Sequence, residues 1–281
     1  MTAPDHEPYR LRLGRVVLEL SSPEPGFAAF LAHYFGRPTD PGPATVVLEV
    51  TIAPDREPCP VPNSLLMTKR VDGDRFDIDH GLIRGRWDEG AGRGTVTVRS
   101  TLLRGRMMRV FEQLLYQLFH NAARRAGYRA VLVHSAGVVR DGRGYLFVGP
   151  SGAGKSTVAE LSRSHTVLND EMNLVEWDDR GATLVGTPFN AFFTGKSEGR
   201  APLAAVLLLE QAPEHRLVPA LPARAAADLA AQVAPPVGLG DPAPPAVRAG
   251  MLALALEILA RTPAHVLRFR PDAGFWDVVP R

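Results

Sequence analysis

The run Gly149-Pro150-Ser151-Gly152-Ala153-Gly154-Lys155-Ser156-Thr157 constrains this chain more than any other stretch. It fits the pattern G-x-x-x-x-G-K-S/T, in which glycines let successive backbone N–H groups converge on one concavity. Such a nest suits anionic phosphates, so the run predicts a nucleoside triphosphate site between a strand and a helix. Both flanks agree. Gly144-Tyr145-Leu146-Phe147-Val148 is an apolar run of strand length, and Ser156-Thr157-Val158-Ala159-Glu160-Leu161 opens a helical pattern. Lys155 is expected to reach the β- and γ-phosphates, and the Ser156 hydroxyl to ligate a Mg²⁺ that bridges them. Lysine is scarce here: only Lys69, Lys155 and Lys196 stand among 32 basic residues, so a lysine at the motif position is no accident of composition.

A chain of 281 residues, 45% of them hydrophobic, can bury a substantial core as one large domain or two closely joined ones. The net charge is only +2 and the arginines are interspersed with acids, which leaves no continuous basic face for nucleic acid. The single cysteine, Cys59, excludes an intramolecular disulfide and suits a reducing compartment. Between Pro58 and Pro60 it reads as an inert thiol. Met1-Thr2-Ala3-Pro4-Asp5-His6-Glu7-Pro8 is polar, without the apolar stretch of a signal peptide, and no run approaches a membrane span. The expectation is a cytoplasmic protein with no membrane partner.

Along the chain the first hundred residues read as strand-rich. Tyr9 to Leu20 and Ala44 to Ile52 carry the alternation of strands, and shorter ones are expected at Arg75 to Asp79, Leu82 to Trp87 and Gly94 to Arg99. Glu89-Gly90-Ala91-Gly92 reads as a hairpin turn. The period then changes: from Arg106 to Arg125 apolar residues recur at helical spacing, with Val110, Leu114, Leu118 and Ala122 on one stripe and Gly127 as the stop. His120, on that helix, reads as a satisfied or exposed histidine. Ala130 to Val139 reads as one strand, Asp141-Gly142 as a tight turn, and Gly144 to Val148 as a second strand entering the loop, so a hairpin feeds it. Past the short helix, His165 to Leu168 is a strand ending in Asn169-Asp170-Glu171. Asn173 to Trp177 and Ala182 to Gly186 form a further hairpin around Asp178-Asp179-Arg180-Gly181.

A carboxylate at a strand end is the second element of such a site, because something must hold the metal or accept a proton opposite the lysine. Asp170 and Glu171 stand there. Farther on, Lys196, Glu198 and Arg200 read either as a loop contacting phosphate or substrate, or as a solvated turn. Leu203 to Glu210 is expected as a buried strand, followed by an alanine-rich helix near Ala225 to Ala231 and loops at Pro235-Pro236 and Asp241 to Pro245. A last helix (Ala246 to Arg261) and a closing strand (Val266 to Phe269) follow, with Trp276 as an anchor for the tail.

His134 on the strand before the loop, the loop itself, the early acidic pair and a hairpin leading to Gly186-Thr187-Pro188 together resemble the HPr kinase/phosphorylase family, whose phosphate-loop domain is similar to that of phosphoenolpyruvate carboxykinase. The resemblance spans roughly Val131 to Pro188. It implies an α/β phosphate-loop kinase core with a mixed sheet and hairpins. The strand-rich part over residues 1–100 would precede a helix and core over 101–281, with one continuous domain as the alternative. It further implies ATP phosphates on Gly149 to Thr157 with Lys155 stabilising their charge, Mg²⁺ near Ser156 and Glu171, Asp170 as general base, and His134 beside the phosphates or the acceptor. The family's acidic pair usually reads Asp-Asp. Glu171 keeps a carboxylate for the metal but lengthens its reach. No match to the family's glutamate-containing loop follows the hairpin, and the N-terminal part is unlike its usual regulatory domain.

HPr is therefore not the expected acceptor. Divergent relatives phosphorylate serine in other polypeptides, and the expected activity is ATP- and Mg²⁺-dependent transfer of the γ-phosphate to a serine hydroxyl of a protein or peptide. A small-molecule kinase acting on an amino-acid hydroxyl and a non-catalytic ATP-sensing module are the rivals. No N-K-x-D guanine motif and no serine-glycine-glycine transporter signature occurs. A homo-oligomer is compatible with the sequence.

Overall fold

A computed structural model describes residues 7–36, 42–55, 67–79, 81–103, 108–189, 193–234 and 245–280. The N-terminal segment up to His6, Cys59, Met107 and the proline-rich residues 235–244 lie outside the described residues. The architecture is mixed α/β, built on strand-rich sheets, one of them curled as a half-barrel. By their contacts the residues form two units. One ends at Tyr128; the other comprises Arg129–Ala234 and the chain from Pro245 onward.

Alternation builds the first unit. Strands β1 (Tyr9–Leu13), β2 (Val16–Ser21), β3 (Val46–Ala53), β4 (Met67–Asp72), β5 (Arg75–Asp79), β6 (Ile83–Asp88) and β7 (Arg93–Arg99) pair in the order β1-β2-β3-β7-β6-β5-β4. Leu48, Val50, Ile78, Ile83, Val96 and Val98 are buried, while the intervening Glu49, Asp77, Arg84, Thr95 and Thr97 are exposed, as expected of a sheet covered on one face. The stretch expected as one strand, Tyr9 to Leu20, is a hairpin that reverses at Gly14, which adopts φ 57°. The same alternation runs on either side of the turn, so periodicity alone did not reveal it. Helix α1 (Phe27–Phe35), which sequence did not signal, buries Phe27, Leu31 and Phe35 at i, i+4 and i+8.

Helix α2 (Met108–Arg125) follows the expected helix and stops where Gly127 takes φ 60°, with the Tyr128 N–H donating to the Ala123 carbonyl at 2.8 Å. Its buried face is wider than the expected stripe, since Phe111, Leu115 and Phe119 join it. The expectation for His120 was wrong: it is 5% exposed, and its Nε2 has no hydrogen-bond partner. Burial pushes its pKa down to about 3, so the imidazole is neutral.

In the second unit the strand that leads into Gly149–Thr157 lies in the interior of the sheet. Strands β8 (Ala130–His134), β9 (Ala136–Arg140), β10 (Arg143–Val148), β11 (Thr166–Asn169), β12 (Met172–Trp177), β13 (Ala182–Val185) and β14 (Arg200–Gln211) pair in the order β11-β9-β10-β14-β13-β12-β8. Strand β16 (Ala264–Phe269) adds to β14 and carries β15 (Arg216–Pro219). Helix α3 (Lys155–Leu161) follows the loop, and α4 (Pro222–Ala230) and α5 (Pro245–Leu259) precede β16. The run expected as a single strand from Ala130 to Val139 breaks at Ser135. Its first half pairs with β12 and its second with β10 and β11.

Asp141 (φ 52°) and Gly142 (φ 74°) turn β9 tightly into β10, as their types suggested. Strand β10 is buried on both faces: Leu146 and Val148 enter one core with Val206, Leu208 and Ile258, and Tyr145 and Phe147 enter another with Leu207, Phe275 and Trp276. That double burial explains why its sequence is a near-continuous apolar run rather than an alternation.

Candidate functional site

Strand directions gather the site. β10 runs parallel to β14 and β14 to β16, while β11 and β10 are both antiparallel to β9 and therefore run the same way. The carboxyl ends of β10 and β11 thus open on one edge of the sheet, the edge at which open α/β sheets hold ligands. Gly149–Thr157 leaves the first of these ends and Asp170-Glu171 leaves the second.

The loop is shaped by its glycines. Gly152 and Gly154 adopt φ 83° and 109°, in the left-handed region that L side chains avoid. A Cβ on Gly149 would stand 2.7 Å from the Ala153 Cβ, and one on Gly154 would stand 2.7 Å from the Phe269 ring. The side chain of Gln211, at the end of β14, donates to the Gly152 carbonyl at 2.9 Å and ties the loop to the neighbouring strand. Lys155 is only 7% exposed, and its Nζ donates to the Gly149 and Pro150 carbonyls at 2.8 and 3.2 Å. Ser156, the expected metal ligand, is half-buried at the start of α3, and Thr157 is exposed beside it.

Asp170 is 1% exposed. One carboxylate oxygen, Oδ1, accepts the Phe193 N–H at 3.0 Å, and the other, Oδ2, is buried without a partner. An orphaned buried carboxylate oxygen is costly and calls for a donor from outside. Glu171 lies 3.6 Å from His134 Nε2, because the β8–β12 register sets His134 opposite Met172. Burial lowers the Lys155 pKa, while the negative charges of Glu171 and then Asp170 raise it. Lysine and acidic pair are thus close enough to act on one another. The structure brings together Lys155, Asp170, Glu171 and His134, the residues that sequence had singled out separately.

Several partners were not signalled. Asn169 is fully buried beside the acidic pair, and Asn173 donates to the Ser135 and Asn169 carbonyls at 2.8 and 3.1 Å. Gly137 makes room for it, since a Cβ there would meet Asn173 Oδ1 at 2.3 Å. Only adjacency to Asp170 hinted at Asn169, and nothing local pointed to Asn173, Phe193 or Gln211. Of the trio whose role sequence left open, Lys196 donates to the Pro188 and Phe189 carbonyls at 2.7 and 2.6 Å. Arg200 pairs with Glu176 across the sheet, and Glu198 is exposed.

The donor set fits a triphosphate with its metal: glycines that leave a cradle, one buried cation, a hydroxyl, and carboxylates of which one keeps an unpartnered oxygen. Among the described residues there is no group of three or more His, Cys, Asp or Glu side chains that could hold a metal on its own. Also among them, no helix is long and apolar enough to cross a membrane. No curated protein matches the chain. A protein-family model described as SynChlorMet cassette protein ScmC matches residues 103–281, which include Gly149–Thr157, Asp170, Glu171 and the closing strand. That match spans more than half of the sequence, and the chain belongs to the ScmC family.

Proposed function

We propose that this protein is an ATP- and Mg²⁺-dependent kinase that transfers the γ-phosphate to a serine hydroxyl of a protein or peptide, on a phosphate-loop core of HPr kinase type. One observation carries the reading. At the sheet edge that bears the loop, a buried ammonium lies within electrostatic reach of Glu171 and of the buried Asp170, whose Oδ2 has no partner. An ATP sensor needs the lysine but has no use for an orphaned carboxylate. A kinase needs both.

The roles follow from the donors. Loop N–H groups and Lys155 hold the β- and γ-phosphates, and Ser156 with Glu171 supplies hard oxygen ligands for Mg²⁺, which when bound neutralises phosphate charge. Asp170 accepts the proton of the acceptor hydroxyl as that oxygen forms its bond to the γ-phosphorus and the bond to the β,γ-bridging oxygen breaks, leaving ADP. His134, beside Glu171, orients that carboxylate. Lys155 must exchange the Gly149 and Pro150 carbonyls for phosphate oxygens, a trade that favours an anionic ligand. The resemblance to HPr-kinase-like proteins supports these assignments and the choice of a polypeptide acceptor.

The test is transfer of γ-labelled phosphate from ATP into an extract of the source cells, with wild type and Asp170→Asn side by side. A labelled polypeptide that appears with wild type and not with Asp170→Asn is the expected result. Label found only in a small molecule would replace the acceptor class. ATP binding without any labelled product would leave a sensor in place of a kinase.

A further inference from the structure

We propose that Asn169 is a positioning residue of this site: its buried carboxamide sets where Asp170 and Glu171 stand relative to the phosphate loop. The inference rests on the kinase reading above and adds to it a residue that neither the loop motif nor the acidic pair includes. Asn169 is fully buried and every polar atom of its side chain is engaged. Oδ1 accepts the backbone N–H groups of Glu171 at 2.7 Å and Met172 at 3.0 Å, so the chain folds around the carboxamide in an Asx turn at the end of β11. Nδ2 donates to the carbonyls of Thr187 at 3.2 Å and Phe189 at 3.0 Å, with the Thr187 hydroxyl at 3.4 Å. The orientation is unambiguous: N–H groups converge on one end of the amide and carbonyls on the other, so a flipped amide would lose both sets.

These bonds embrace Asp170 from both sides. Its successor's N–H is held by Oδ1. On the other side Nδ2 grips the Thr187 and Phe189 carbonyls, and the Phe193 N–H holds Asp170 Oδ1. Lys196 donates to the same Phe189 carbonyl, and Asn173 fixes Asn169's own carbonyl, so the ends of β11 and β12 meet Thr187, Phe189 and Lys196 around the carboxamide. Aspartate at 169 would turn an oxygen toward the Thr187 and Phe189 carbonyls and add a negative charge beside Asp170. Alanine would leave the Glu171 and Met172 N–H groups without their acceptor. Either change releases the carboxylate whose Oδ2 must meet the acceptor hydroxyl, while the glycines and lysine that hold the phosphates stay as they are.

The experiment measures initial rates of label incorporation from γ-labelled ATP into the same cell extract, over a range of ATP concentrations, for wild type, Asn169→Ala, Asn169→Ser and Asp170→Asn. A misplacement near 1 Å costs about a hundredfold in rate, so Asn169→Ala is expected to lose about ten- to a hundredfold in the maximal rate with little change in the KM for ATP. Asn169→Ser, whose hydroxyl can accept the Glu171 N–H, recovers part of that loss. An Asn169→Ala protein with the wild-type maximal rate overturns the proposal. So does a loss spread equally over KM and maximal rate with no recovery in Asn169→Ser, since that is a generally loosened fold. If Asn169→Ala does not fold, the milder Asn169→Ser decides alone: a reduced maximal rate at unchanged KM supports positioning, and a wild-type rate overturns it. Inactive Asp170→Asn beside fully active Asn169→Ala defeats the positioning role only. Fully active Asp170→Asn removes Asp170 as the base and this inference with it, while no label with wild type defeats the kinase reading and the inference together.

Discussion

Two demands oppose each other at Lys155. Its burial disfavours the charged ammonium, yet the proposed triphosphate would need it charged, and the nearby Glu171 and Asp170 restore part of that charge preference. The loop carbonyls that now accept its hydrogen bonds are the groups a phosphate would replace. Lys155→Ala is expected to weaken ATP·Mg²⁺ binding by roughly ten- to a hundredfold, the worth of about 1.5–3 kcal/mol for a charge-assisted hydrogen bond. Calorimetric titration measures it, and unchanged affinity would remove Lys155 from the site.

Gly154 is as tightly constrained. At φ 109° and with the Phe269 ring 2.7 Å from a would-be Cβ, Gly154→Ala is expected to destabilise the chain by about 1–3 kcal/mol, read by urea unfolding. His120 makes a pH prediction. It titrates at about 3 when folded against 6.5 when unfolded, so between those values the unfolded chain binds the extra proton and stability falls as pH drops. The loss is about 1.4 kcal/mol per pH unit below 6.5. Comparing urea unfolding at pH 7 and pH 5 should show His120→Leu losing less stability than wild type over that interval.

Elements fix these residues by pairing rather than by their own preferences. The stretch Ala130 to Val139 has one continuous strand pattern, yet it becomes β8 and β9 because Ser135 turns its carbonyl and hydroxyl to Asn173, and each half then finds different partners. That break carries His134 to Glu171. The tail is held similarly: Trp276 Nε1 donates to the Ser162 hydroxyl at 3.0 Å, its carbonyl accepts from Arg140 at 2.7 Å, and its ring packs edge-on against Tyr145 and Phe147. Trp276→Ala removes an anchor from a core that contains the loop strand, and is expected to cost about 3–5 kcal/mol in chemical denaturation. A cost below 1 kcal/mol would mean that the closing segment is held by something other than this ring.

At the scale of the molecule, each of the two units has its own core, and the phosphate loop, acidic pair and Asn169 all belong to the second. Hydrogen exchange with and without ATP·Mg²⁺ should therefore gain protection first at residues 149–157 and 169–172, with little change in β1 to β7; protection gained mainly in β1 to β7 would count against the site. By itself the sequence determined the local features: the glycine-rich turn Gly149–Gly154 between a strand and a helix, the Asp141-Gly142 and Asp178 to Gly181 turns, the end of α2 at Gly127, and the acids at the end of β11. Those depend on φ preferences, missing side chains and periodicity, all set by residues a few positions apart. Tertiary structure alone decided that β10 is buried on both faces, that Ser135 divides a strand, that His120 loses its charge, and that Asp170 keeps one oxygen unpartnered near Lys155. Each depends on groups far apart in the chain, and burial and strand register are properties of the packed whole that a local pattern does not encode.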